Sequence, residues 1–359
     1  MRAPFGADPE KVSANQLRSL RSLLPLVAEK SVFYNCLWAD LLNRHKIKRT
    51  DLFNGTWPDT FKDFSDLPFT RPEDLRGNWS AFLCLGLSEV ARMVSLESSG
   101  STGTPKRLAF SAGDLEGIIN WFSLAMGQMV EAGSTVLILL PAADRPAGIP
   151  RLLTNALAKL QVTGVSAIWP VLPATLAEEI LRFKPEHLVA TPTQLRELHA
   201  YPPLRPLLRR YIKSILSCTE ALDQALKARL TRDWETEIFE YYASTESGYC
   251  GGIECCAHAG YHLNEADIYF EVVDPLGCAT LPPGEAGEVV LTTLKREAMP
   301  LIRYRTGDYA AMLPGPCACG SKMRRLGLIR GRIRRFKDGF EVMEVKKGEY
   351  RARHTGQNL

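Results

Sequence analysis

The chain has 359 residues, 45% hydrophobic and 23% charged, with a formal net charge of +4. Such a length and composition supply a large core and two or three lobes, and exclude a disordered chain. No stretch approaches the roughly 18 to 20 apolar residues of a membrane span, and "MRAPFGADPEK" lacks the basic-then-apolar texture of an export signal, so a cytoplasmic protein with no membrane partner is expected.

Apolar positions at three- and four-residue spacing, Leu17, Leu20, Leu24, Val27 and Phe33 among them, predict helix over 10–48. Pro58, Pro68 and Pro72 make 58–80 loop-like. A Ser/Thr/Gly loop, "SSGSTGTPKR" at 98–107, precedes a helix from about Ala112 to Met129. Beyond it, short apolar runs alternate with helices. They are "STVLILLP", a helix near 150–161, "VSAIWP", a helix near 174–183, "HLVATP", a helix near 193–200, "IKSILSC", a helix near 222–233, and "EIFEYYAS". That alternation predicts an α/β fold with a parallel sheet covered by helices. From Tyr261 the texture turns β-rich, in "IYFEVVD" and "GEVVLTTL". Between Lys322 and Arg353, twelve Lys/Arg face four Asp/Glu, so the basicity belongs to the tail and the rest of the chain is net acidic. With the aromatic pair Phe336 and Phe340 interleaved and no nucleic-acid module, this tail reads as a solvated, partly disordered end, and no nucleic-acid partner is expected.

The loop at 98–107 has the composition of a phosphate cradle. Glycines let backbone N–H groups converge, hydroxyls add donors, and Lys106 supplies a mobile positive charge. It does not fit G-x-x-x-x-G-K-[ST], which excludes the usual nucleoside triphosphatase reading. Three later stretches join it in one order: "YYASTESG" at 241–248, "YRTGD" at 304–308 and "IRGR" at 329–332. Together they resemble the adenylate-forming superfamily of acyl- and aryl-CoA synthetases. Within it, "LPFTRPEDLR", "AGYHLNEADIYFEVVDP", "EAMPLIRYRTGD" and "CACG" are similar to the phenylacetate-CoA ligase group, which includes coenzyme F synthetase-like proteins. The resemblance covers roughly residues 15–332 and implies that superfamily's N-terminal lobe. The expected organisation is an N-terminal helical segment (1–90), an α/β nucleotide-binding core (91–260), a β-rich subdomain (261–331) and a basic hinge remnant or tail (332–359).

The implied chemistry joins a carboxylate to AMP, expels pyrophosphate, and passes the acyl group to the thiol of CoA; positioning and charge neutralisation dominate such phosphoryl chemistry. The resemblance gives Ser99, Gly100, Ser101, Thr102, Gly103 and Lys106 to the β/γ-phosphates, Thr245 to the α-phosphate, and Glu246 to Mg²⁺. It gives Asp308 to the ribose hydroxyls, Tyr242 to the adenine ring, and Thr219 and Glu220 of "SCTEAL" to the adenine-binding turn, with Cys218 where glycine is more usual. Arg332 joins this set at the approach to the interdomain hinge. Trp121, Phe122, Tyr241 and Ala243 suggest an apolar pocket for an aryl or arylacetic acid. Related ligases are often dimers, so a homodimer belongs to the same expectation.

Nine cysteines in a reducing compartment read as free thiols or metal ligands, not as a disulfide framework. "CCAH" sets Cys255 three residues before His258, and "CAC" sets Cys317 two before Cys319. Two such pairs make the Cys₃His set of a structural Zn²⁺, with Cys250 or Cys256 as substitutes and plain buried thiols as the alternative. His262, in "GYHLNE", falls where the family has a similar stretch near its active site; a core or surface place is the other reading.

After Arg332 the family continues with an acidic hinge residue and a small C-terminal lobe bearing a catalytic lysine. Here Arg334 and Arg335 stand at the hinge and the sequence runs 27 residues further, too few for that lobe. Three readings stay open: a ligase of reduced activity or one helped by a separate lobe, a catalytically impaired nucleotide-binding remnant, and an acyl-protein synthetase acting with a partner.

Overall fold

In the computed structural model, the described residues are 8–43, 47–96, 105–143, 145, 148–277, 279–336 and 339–343. Ser99, Gly100, Ser101, Thr102 and Gly103 of the expected phosphate loop lie outside them. The chain divides into two compact units. One holds residues 115–244 and 248–262; the other holds the described residues of 3–114, residues 245–247, and the described residues from 263 onward.

The first unit is built on a parallel sheet. Its strands run in the order Thr163–Ser166, Thr135–Ile138, His187–Ala190, Ser214–Ser217 and Glu237–Tyr242, and Gly252–Glu254 adds to the last in antiparallel sense. The strands His187–Ala190 and Ser214–Ser217 are buried at every position, which is why they read as unbroken apolar runs and not as alternation. Leu137, Leu188, Ile215 and Ile238 pack in one cluster with Leu176 and Ile180 of the helix Pro173–Phe183 and with Leu226, Leu230 and Trp234 of the helix Gln224–Trp234. The next residues along each strand, Val136, Val189, Leu216 and Phe239, point to the other face and are buried as well.

The second unit is antiparallel. The strand Val90–Leu96 pairs with Lys106–Ser111, while Ile268–Val273, Ala286–Thr293 and Tyr304–Leu313 form a meander. Its N-terminal helix breaks in two, Pro9–Lys30 and Val32–Asn43, because Ser31 is extended and its hydroxyl donates to the Ala81 carbonyl. These helices belong to the same unit as the β-rich segment. Gln16 donates to the carbonyl of Glu265, Tyr34 accepts from the Ile302 amide, and Arg303 donates to the carbonyls of Ser65 and Leu67. Arg303 is 1% exposed and pairs with the equally buried Glu271 at 3.0 Å, over the Phe69 ring.

The tail also departs from expectation. Gly331–Phe336 and Gly339–Met343 form an antiparallel hairpin, with Asp308 and Tyr309 paired to Arg332 and Gly331. Arg335 reaches back to the fully buried Glu288, which Arg305 also contacts at 3.2 Å. A buried carboxylate needs cationic partners, and this one takes one of them from the segment that charge density alone marks as solvated.

Candidate active site

Four residues of the antiparallel unit converge although they are far apart in sequence. Lys106 opens the strand Lys106–Ser111, and its ammonium group pairs directly with Glu246 Oε1. The Tyr304 hydroxyl donates to the same oxygen at 2.9 Å. Arg296 lies over the Phe110 ring and donates to the Glu246 carbonyl at 3.4 Å. Burial works to raise the Glu246 carboxyl, yet the charge and hydrogen bond of Lys106, joined by the Tyr304 hydroxyl, outweigh it and hold the group below the usual carboxylate range. Burial first, and the Glu246 charge next, push the Tyr304 phenol well above its ordinary value, so it stays a donor.

Local devices hold these side chains. Asp114 ties the end of the Lys106 strand to the 297–298 backbone, accepting from the amides of Ser111 (2.9 Å), Glu297 (2.7 Å) and Ala298 (3.1 Å). Gly113 leaves room there for the Glu297 carboxylate, which would have to move for a Cβ placed 2.6 Å from it. Thr70 bridges the backbone on both sides of Tyr304, donating to the Arg303 carbonyl and accepting from the Arg305 amide.

Asp308 sits where the pairing of Ala286–Thr293 with Tyr304–Leu313 shifts register between Glu288 and Val290. Residues 306–308 bulge there, with Gly307 at φ +78° and its amide on Glu288. The bulge presents Asp308 to Arg332, whose Nε lies 3.3 Å from Oδ1 and whose Nη2 donates to the Thr306 carbonyl at 2.7 Å. Thr245 is half-buried beside Glu246.

The expected adenine residues belong to the other unit. Thr219 has φ +74°, a strained conformation for a β-branched residue, at the end of the strand Ser214–Ser217. Glu220 accepts from the Thr193 hydroxyl at 2.9 Å, and burial raises its carboxyl. Burial also pushes the Cys218 thiol to about 12, which makes it inert as a nucleophile at neutral pH. Tyr242 is buried with its ring 5.8 Å from that of Tyr261. Of the expected acid pocket, Trp121 donates its indole N–H to the Tyr241 hydroxyl at 2.6 Å, that hydroxyl donates to the Tyr249 carbonyl, and Phe122 meets the Tyr241 ring edge-on; Ala243 is half-buried.

His258, expected as a metal ligand, is engaged by carboxylates. Its Nδ1 lies 3.2 Å from Glu254 and its Nε2 3.1 Å from Glu237, so carboxylates engage both ring nitrogens. The fully buried histidine of this stretch is His262, which a bare spacing count passes over because it lies seven residues from Cys255. Gly252 lets the chain pass it, since a Cβ there would sit 2.9 Å from the His262 carbonyl. Cys255 is buried in the same unit. In the antiparallel unit Cys317 and Cys319 lie on a tight turn, closed by the Gly320 amide donating to the Cys317 carbonyl and the Cys317 amide donating to the Ser321 carbonyl.

Residues 97–294 match the model of a family described as AMP-binding enzyme. The phenylacetate-coenzyme A ligase of Aromatoleum evansii is 29% identical over 349 residues, spanning 92% of this chain and 74% of that protein. The enzyme of the same name from Thermus thermophilus is 28% identical over 343 residues, spanning 90% and 71%. A crystal structure of 2-hydroxyisobutyryl-CoA ligase in an open conformation, with 2-HIB-AMP and CoA, superposes with a TM-score of 0.77 at 20% identity, over 92% of this chain and 73% of that one. Among the described residues no helix is long and apolar enough to cross a membrane. On the family match over more than half of its length, the chain belongs to the AMP-binding enzymes.

Proposed function

We propose that this protein is an AMP-forming acid–CoA ligase, which activates a carboxylic acid as its acyl-adenylate and then transfers the acyl group to CoA. The observation that carries the reading is the convergence of Lys106 and Tyr304 on one carboxylate oxygen of Glu246, which joins side chains from three separate motifs. In this reading Lys106 holds the β/γ-phosphates, Thr245 the α-phosphate, Asp308 the ribose hydroxyls with Arg332 beside it, and Tyr242, Thr219 and Glu220 the adenine. Ser99, Gly100, Ser101, Thr102 and Gly103 complete the phosphate cradle. Aryl and arylacetic acids are the preferred substrates, on the strength of the relatives' names and of the Trp121–Tyr241–Phe122 cluster.

Glu246 fits Mg²⁺: it is a buried, ionised carboxylate already neutralised by the Lys106 cation, and hard oxygen ligands suit that ion. Bound there, Mg²⁺ neutralises phosphate charge. Lys106 and Glu246 then take phosphate and metal in place of each other, while Tyr304 stays on the carboxylate. We further propose a structural Zn²⁺ held by Cys255, His262, Cys317 and Cys319. What supports it is the donor set: Cys255 and His262 are buried in one unit, and Cys317 and Cys319 lie on one tight turn in the other. A tetrahedral zinc with bonds of about 2.3 Å needs ligand sulfurs ~3.8 Å apart, and three thiolates with an imidazole are the donors it selects.

The test is isotope exchange between pyrophosphate and ATP, run with a panel of aryl acids, followed by assay of the CoA thioester. Acid-dependent exchange with thioester formation is the expected result. Exchange without thioester transfers the acyl group to another acceptor, and ATP binding with no exchange for any acid overturns the reading.

A further inference from the structure

We propose that Tyr304 is a positioning residue for Glu246, holding that carboxylate in place when Lys106 leaves it for a bound phosphate. The proposal rests on the reading of Lys106 and Glu246 as phosphate- and metal-binding groups. Both the Lys106 ammonium and the Tyr304 hydroxyl address Oε1 of Glu246, and a carboxylate oxygen has lone pairs for two donors. The two donors differ in how they are held. Lys106 reaches the oxygen on a flexible four-carbon stem, which a phosphate's negative charge can draw away. Tyr304 is 2% exposed, and Thr70 fixes the backbone on both of its flanks.

Thr70 is itself locked. Its hydroxyl donates to the Ile302 carbonyl at 2.7 Å and shares a 2.9 Å hydrogen bond with the Tyr34 hydroxyl, which accepts from the Ile302 amide. Without Tyr304, departure of Lys106 would take both of these side-chain donors from Oε1, in a residue only 7% exposed. A buried carboxylate that loses these donors is free to turn, and a turned carboxylate no longer presents the same oxygen to a metal. Tyr304 therefore separates two tasks, leaving Lys106 to exchange between partners while Glu246 keeps its orientation. The same strand carries Asp308 four residues on, so the ribose ligand and the residue that positions Glu246 share one strand.

The experiment is Tyr304→Phe, alone and in the Glu246→Gln background, read by calorimetric titration of ATP with Mg²⁺ and with EDTA. A hydrogen bond to a charged group typically changes affinity by roughly ten- to a hundredfold. We expect Tyr304→Phe to weaken Mg²⁺-dependent ATP binding by about tenfold, to change binding in EDTA by less than about twofold, and to add little once Glu246 is glutamine. An equal loss with and without Mg²⁺, an undiminished loss in the Glu246→Gln background, or no loss at all overturns the proposal. Should the phenylalanine variant melt early, the double variant measured at the same lowered temperature still reports whether the effect runs through Glu246. Failure of the parent reading shows in the unaltered protein, as ATP binding indifferent to Mg²⁺; failure of this proposal shows only in the variants.

Discussion

Lys106 and Asp308 each hold a protein partner of opposite charge, Glu246 and Arg332, and both pairs are only partly exposed. Ligand binding at either residue has to replace that partner, so truncation costs affinity. Lys106→Ala and Asp308→Ala are each expected to weaken ATP binding about ten- to a hundredfold; the thermal midpoint moves by only a few degrees in Asp308→Ala and further in Lys106→Ala, which leaves the buried Glu246 without its cation. Calorimetry and a melting curve check both, and unchanged ATP affinity in both variants contradicts the site. These two residues are legible in the sequence because each sits in a short motif whose spacing is local. Tyr304 and Arg296 are not, because their role depends on contacts across 58 and 50 residues of chain. His258 shows the converse, as a residue whose local spacing suggests a ligand while neighbouring carboxylates occupy it.

Among the elements, the parallel strands are legible because burial on both faces leaves an unmistakable apolar run. Leu188 is 0% exposed at the centre of such a strand, packed between helices and neighbouring strands. Leu188→Ala is expected to cost about 3 kcal/mol, measured as a lower denaturant midpoint with an unchanged slope. The hairpin of Gly331–Phe336 and Gly339–Met343 was hidden by its charge, since "GRIRRFKDGFEVM" reads as a solvated tail until Glu288 is known to lie buried beneath it. Arg335→Ala removes one of the two arginines on that carboxylate. Amide hydrogens of 331–343 should then exchange at least several-fold faster, because opening energies are local, while those of Ile268–Val273 keep their protection. Equal protection in the two proteins would mean that the hairpin is held by its ladder alone.

At the scale of the whole molecule, the order of the chain conceals how it is grouped. Residues 245–247 count with the antiparallel unit, apart from the 115–244 and 248–262 segments that flank them, and a reading by consecutive domains has no means of finding that. The same limit applies to the metal. Sequence spacing supplies candidate pairs, but the choice between His258 and His262 depends on which imidazole the folded chain gives to carboxylates. If Cys255, His262, Cys317 and Cys319 hold zinc, carefully purified protein contains about one zinc per chain, measured by elemental analysis. His262→Ala then lowers that content sharply, and His258→Ala leaves it intact. Because structural zinc binds the folded state far more tightly than the unfolded one, a strong chelator should lower the melting temperature of the parent protein and have little effect on His262→Ala. Zinc-free protein with a chelator-insensitive melt would make the four side chains an ordinary buried thiol cluster. Loss of zinc in His258→Ala alone would return the ligand to the position that sequence spacing first favours.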